Sequence, residues 1–157
     1  MTLLDPRLTL ARADLASSDL EGIAPAARYA NATPMRVVRP GAPVRVAPMR
    51  DAGQIDELLF GEVFDQLESK DGFAWGRARR DGYVGFVDQD ALCGGMLSPT
   101  HWIAALRTFA FEQPSIKSPA RGPLSLNALV SIEEETPTLA LARGLGWIAR
   151  ADRRAHV

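Results

Sequence analysis

Two Asp-Gly pairs, Asp71-Gly72 and Asp81-Gly82, separate short runs of apolar and aromatic residues in the middle of the chain. A tight hairpin needs positive φ at its central positions, which Gly adopts without steric cost and Asp tolerates. The runs LLFGEVFDQL (58–67), FAWGRAR (73–79) and YVGFV (83–87) therefore read as three strands joined by two hairpins. Upstream, MRVV (35–38), a Pro40-Gly41 turn and PVRVAP (43–48) predict two more strands, with Val44 and Val46 on one face. Eleven prolines and thirteen glycines are spread along the chain, which suits many short strands better than a few long helices. The expected class is mainly β.

The flanking segments are less regular. Residues 1–34 carry Leu8, Leu10, Leu15, Leu20 and Ile23 at mixed spacing, and Asp14 or Ser17 can cap a short helix ahead of Pro25. This segment reads as an N-terminal arm whose apolar residues pack across the first barrel, because a short isolated helix is marginal in water. A glycine pair and a proline in DQDALCGGMLSP (88–99) mark a domain boundary. Beyond it, HWIAALRTFAF (101–111) suits one or two strands, although its alanines also permit helix. EQPSIKSPARGP (112–123) reads as an extended surface loop, LSLNALVSI (124–132) as strand, Glu133–Glu135 as a solvated turn and GWIARAD (146–152) as a closing strand. The expected organisation is an arm (1–34) and two small β-barrels (35–97 and 98–157).

Composition excludes several functions. Eighteen basic and nineteen acidic residues give a net charge of −1, so no global field draws the chain to nucleic acid or an anionic membrane. A single cysteine, Cys93, rules out an internal disulfide, and no cysteine-histidine cluster offers a zinc site, so neither metal nor cofactor is expected. Asp5, Arg7, Arg12 and Asp14 interrupt the N-terminal apolar residues before they reach the length of a secretory core, and no run approaches a membrane span. A cytoplasmic location is the expectation.

Cys93, with His101 or His156 as base, is the one combination from which a cysteine hydrolase can be assembled. A reactive thiolate wants a neighbouring base and a helix N-terminus, and Cys93 lies instead at a strand end beside Gly94-Gly95. No catalytic residue is assigned. Trp75, Tyr83 and Phe86 flank the Asp81-Gly82 turn, where an aromatic can line a ligand groove or fill the barrel core. Arg77, Arg79 and Arg80 form a basic cluster that can hold carboxylates or simply guard a strand edge. In the second half Trp102, Arg107, Lys117 and Trp147 stand out, with Trp147 expected in a core and Arg107 and Lys117 at the junction. With only Tyr29 and Tyr83, the tyrosine count is too low for the parallel aromatic ridges that grip proline-rich peptides.

Taken in order, APVRVAP, LLFGE, DGFAWG, DGYVGFV, PTHWIAALRTF and SIKSP resemble the region ahead of the catalytic domain in NlpC-type, papain-like cysteine peptidases of the bacterial cell wall. The resemblance runs from about Asp5 to Asp152 and implies two SH3-like barrels in tandem. It also implies a substrate, the murein stem peptide, cut between D-glutamate and a diamino acid. The family's DCSGL-type nucleophile motif has no counterpart in 1–157. The function it implies is thus a non-catalytic module that recognises and positions murein peptide, with an NlpC-type catalytic domain as partner in cis or in trans. A free-standing interaction module and a Cys93-dependent hydrolase are the alternatives. Under the first reading the ligand-binding candidates are Tyr83, Trp75, Glu62, Asp81 and Arg77, with Glu62 and Asp81 placed to receive an amino group of the stem peptide.

Overall fold

The computed structural model describes residues 4–95 and 97–156. Met1–Leu3 of the arm, Met96 at the expected boundary and Val157 lie outside the described residues. The architecture is mainly antiparallel β, and its only helical segments among the described residues are single turns of 3-10 helix.

The arm contains β1 (Ala16–Ser17) and β2 (Tyr29–Ala30), paired in parallel, with one 3-10 turn over Ser18–Leu20. Ser17 precedes that turn without a side-chain capping bond. The next strands are β3 (Thr33–Val37), β4 (Gly41–Arg45), β5 (Gln54–Leu59), β6 (Val63–Lys70), β7 (Phe73–Ala78), β8 (Val84–Asp88) and β9 (Leu92–Gly94). They form one sheet in the order β5-β4-β8-β7-β6-β3-β9. After residue 100 come β10 (His101–Ile103), β11 (Arg107–Phe111), β12 (Ala120–Ser125), β13 (Leu129–Val130), β14 (Ile132–Glu135), β15 (Leu139–Ala142), β16 (Gly146–Ala149) and β17 (Arg153–Ala155). These make a sheet β12-β11-β16-β15-β14 and a smaller one, β13-β10-β17.

The Asp71-Gly72 hairpin forms as the sequence predicts. Asp71 (φ 51°) and Gly72 (φ 80°) both take the left-handed conformation of a two-residue turn, and Lys70 pairs with Phe73 across it. The Asp81-Gly82 connection is longer than expected, since β7 ends at Ala78 and β8 begins at Val84. Only Gly82 has positive φ there, and Tyr83 lies in the loop rather than on a strand. The run 58–67 is likewise not one strand: a turn at Phe60-Gly61-Glu62 splits it, with Gly61 at φ 82°. Val46 does not share a buried face with Val44, because the β4–β5 pairing shifts register between Val44 and Arg45 and leaves Val46 exposed in the following loop. In the second half, Ala120–Pro123 belongs to β12 instead of a loop, and the glutamates 133–135 sit on the edge strand β14 instead of a turn. Arg143 and Arg153 pair with Glu133 and Glu135, and Arg150 also reaches Glu135, which offsets the repulsion that like charges on one strand would otherwise create.

Alternation on the strands sorts side chains into three apolar clusters. Val37, Ala42, Val44, Leu58, Phe64, Ala74, Ala78 and Val87 fill the interior of the first sheet. On its other face Trp75 and Val84 are covered by Leu10 and Leu15 of the arm, with Leu67 and Phe86 packed alongside. The second half encloses Ile103, Ala110, Leu124, Ala128, Val130, Ala142 and Ile148, together with Phe60 from the first. Leu58 and Phe60 therefore serve different cores although one residue separates them.

Candidate functional site

The turn between β5 and β6 builds the first candidate site. The Glu62 side chain is buried, and its Oε2 accepts the Leu59 N–H at 2.9 Å, closing the turn on itself. Its Oε1 accepts Arg80 Nη1 at 2.9 Å, and Arg80 Nη2 donates to Asp81 Oδ2 at 2.9 Å and Asp56 Oδ1 at 3.3 Å. Asp81 Oδ1 in turn accepts the Tyr83 N–H at 3.2 Å, so this carboxylate shapes the loop that carries Tyr83. Three carboxylates thus share one guanidinium and leave a surplus of negative charge.

The electrostatics follow from burial. Desolvation pushes the carboxyls of Glu62 and Asp56 above their ordinary values, outweighing the Leu59 and Glu57 N–H bonds and the charge of Arg80. Burial acts in the same sense on Asp81, but the hydrogen bonds from Arg80 and the Tyr83 N–H outweigh it and hold that carboxyl low. Burial also works against the Arg80 charge, yet its acidic partners raise its pKa. Beside the cluster runs a groove of about 390 Å³ lined by Glu62, Val63, Arg79, Arg80, Asn127 and Leu129, so both halves of the chain contribute to it. Arg79 is tied to Asp65 and adds no free positive charge.

A second concavity, a cleft of about 290 Å³, lies between the arm and the outer face of the first sheet. Phe73, Trp75 and Phe86 line it together with Arg12, Asp14 and Glu68. The Arg12 guanidinium stacks 4.1 Å from the Trp75 ring centroid and bonds Asp14 at 3.1 Å and Glu68 at 2.6 Å. Glu68 reaches this face because β6 slips register between Gln66 and Glu68 where it pairs with β7. Burial opposes the Arg12 charge, but the hydrogen bonds from Glu68 and Asp14 prevail and raise its pKa, while Arg12 lowers that of Asp14.

The residues singled out by sequence fall into separate places. Glu62 and Asp81 come together on Arg80, and Tyr83 follows Asp81 in the same loop. Trp75 is 4% exposed and lies neither in the barrel interior nor on the Arg80 cluster, but under the arm. Arg77 follows Trp75 by two positions along β7 and so shares its face, paired with Asp65 and Val84 on the neighbouring strands. Cys93 is exposed on β9, its thiol near the Gly94 carbonyl oxygen at 3.4 Å, and no hydrogen bond joins it to His101. His101 Nδ1 lies 2.9 Å from Thr100 Oγ1, and burial and the Arg153 charge lower its pKa against the pull of Glu135. Trp147 is buried opposite Leu141 and Phe111. Arg107 and Lys117 are exposed on the hairpin of β11 and β12, whereas the junction is built from Phe60, Gly61 and Leu129. Sequence reasoning missed Asp56, Arg12 and Glu68, and only the polar places of Asp56 in QIDELL and Glu68 in VFDQLESK hinted at an outward face. Among the described residues no group of histidine, cysteine and carboxylate side chains is arranged to hold a metal, and no helix is long and apolar enough to cross a membrane.

Comparison with known proteins bears first on the sheet that carries these sites. A family profile described as a bacterial dipeptidyl-peptidase Sh3 domain matches residues 44–92, from within β4 to the start of β9. Residues 44–92 are thus similar to a bacterial SH3 domain of this kind. Among solved structures the chain is similar to an NlpC/P60 family protein from Bacillus cereus ATCC 10987, with a TM-score of 0.59 and 13% identity over 79% of this chain and 56% of that one. At that identity the likeness establishes the fold alone. NlpC1 and NlpC2 from Trichomonas vaginalis align at a TM-score of 0.37 with 18% and 17% identity, over 97% and 81% of this chain and 50% and 49% of theirs, and carry no further argument. The chain spans about half the length of the structures it matches. No curated protein matches it.

Proposed function

We propose that the chain is a recognition module of a cell-wall peptide hydrolase: an arm and two SH3-like barrels, 35–97 and 98–157, that bind and position a murein stem peptide and leave the cleavage to an NlpC-type catalytic domain. The observation that carries this reading is the surplus of carboxylate around Arg80, beside a groove to which both halves contribute. A free amino group of a stem peptide neutralises that surplus through charge-assisted hydrogen bonds. In this reading Asp81 and Tyr83 meet the ligand from their shared loop, and Arg77 meets a peptide carboxylate. Glu62 orients Arg80, and Trp75 holds the arm in place behind them. The setting is the cytoplasm, where imported wall peptides would be the substrates.

The test is a ¹H–¹⁵N titration of the whole chain with the tripeptide L-Ala-γ-D-Glu-meso-diaminopimelate. Saturable shifts confined to 77–83 and 127–129, lost when the tripeptide is N-acetylated and weakened in Asp81→Asn, are expected. Binding indifferent to acetylation would refute the assignment of the carboxylates.

Docking to the catalytic domain has its own observation. Leu106 is 85% exposed and Ile116 71% exposed, and Phe109 projects to solvent on the same β11–β12 hairpin. An apolar patch of this kind suits a covering partner surface. With a separately produced NlpC-type domain, Leu106→Ser and Ile116→Ser together should abolish co-migration in gel filtration, and unaltered co-migration would discard this surface.

A further inference from the structure

We propose that the cleft between the arm and the first sheet is a binding site for a short zwitterionic peptide bearing an apolar side chain, separate from the junction groove. The proposal does not rest on the reading of the Arg80 cluster.

The argument starts from which charges in the cleft are already used. Arg12 binds Asp14 and Glu68, and Arg28 lies 3.5 Å from Glu68, so these groups neutralise one another. Lys70 and Asp71 also line the cleft, and among the described residues neither side chain has an ion pair or a hydrogen bond. One positive and one negative charge are left over at adjacent positions. The turn that carries them is held by left-handed backbone at Asp71 and Gly72, so the two charges sit at a defined end of the β6–β7 hairpin. A ligand with one ammonium and one carboxylate matches that pair, whereas a polyanion or polycation meets a like charge.

Apolar surface supplies the second observation. Phe73 and Phe86 are only half-buried in the cleft. Across from the hairpin, Pro48 of the β4–β5 loop lines the same space, and Val46 and Met49 of that loop are 58% and 55% exposed. Folding leaves these loop side chains in water, whereas Leu10 and Leu15 of the arm are fully covered. A volume of about 290 Å³ lies at the small end of ligand pockets and accommodates two or three residues rather than a folded partner.

The experiment uses the full chain and four probes: alanyl-leucine, its N-acetyl form, its C-terminal amide and the doubly capped form. Alanyl-leucine is expected to shift the amides of Ala47 and Met49 and those at 70–73 and 86 saturably, and capping either terminus should weaken binding about threefold to fivefold, the range of an exposed ion pair. Lys70→Ala should erase the difference between acid and amide, and Asp71→Asn, which tolerates the left-handed turn, should erase the difference between free and acetylated amine. Equal affinity for all four probes, shifts at Glu62 and Leu129 instead, or no saturable shift at tens of millimolar would each overturn the proposal. Because the junction groove reports through different residues, its failure and this one are read apart.

Discussion

The two halves of the chain are built to different degrees of self-sufficiency. The first sheet buries its own interior around Phe64 and has its outer face roofed by Leu10 and Leu15 against Trp75. The second half packs mostly alanine and aliphatic side chains in its main cluster, and the aromatic of that cluster, Phe60, is lent by the first. The loan is secured by the backbone: the Leu129 N–H donates to the Phe60 carbonyl at 2.8 Å, and a Cβ on Gly61 would collide with the Leu129 carbonyl. The turn that carries Glu62 is thus fixed from both sides, by Leu129 against Phe60 and Gly61 and by its own bond to the Leu59 N–H. The difference teaches that the junction is part of a core rather than a linker.

The largest effect should come from removing the shared residue. Phe60→Ala is expected to cost about 4 kcal/mol, in line with buried aromatic truncations. Hydrogen exchange should show protection lost in β10, β13 and β16 before β6 and β7, and simultaneous loss in both halves would break the comparison. Next, Leu15→Ala should cost about 3 kcal/mol and free the arm while leaving the second half protected. Exchange at Ala16, Ser17 and Val84 reads this out. Arg12→Ala should be milder, about 1 kcal/mol by urea denaturation, since its ion pairs are partly exposed and the stacking on Trp75 is a single contact.

The smallest effect is a pH slope. Folding raises the carboxyl pKa of Glu62 above the ordinary 4.5, so just above that pH the folded chain holds a proton that the unfolded chain has released. Its contribution to stability is therefore present at lower pH and declines as pH rises through the raised value. Asp56 acts in the same direction, and Asp81, whose pKa is lowered, acts oppositely on acidification. Glu62→Gln should flatten the decline above pH 4.5 in thermal melts. A variant with the parent's slope would remove Glu62 from this account.

Several features of the molecule could be read one residue at a time. Asp71-Gly72 specified its hairpin because the turn's φ requirements are local, and the mainly β class followed from short alternating runs between turn residues. The five candidate residues were chosen by type, and two of them, Glu62 and Asp81, meet on Arg80. Their third carboxylate, Asp56, was invisible because it arrives on a different strand.

What lay beyond the sequence is non-local by nature. Period-two alternation places Ala74 and Trp75 on opposite faces of β7, but cannot say which face is the barrel interior. The arm decided that by covering Trp75. Likewise LLFGE is legible as an apolar run, while its division between two cores depends on Leu129 approaching Gly61 from about seventy residues downstream. Turn chemistry and strand period were thus determined by the residues themselves. Which faces met, and hence where the groove and the cleft opened, was decided by tertiary packing, because burial is a property of neighbours that the chain brings from far away.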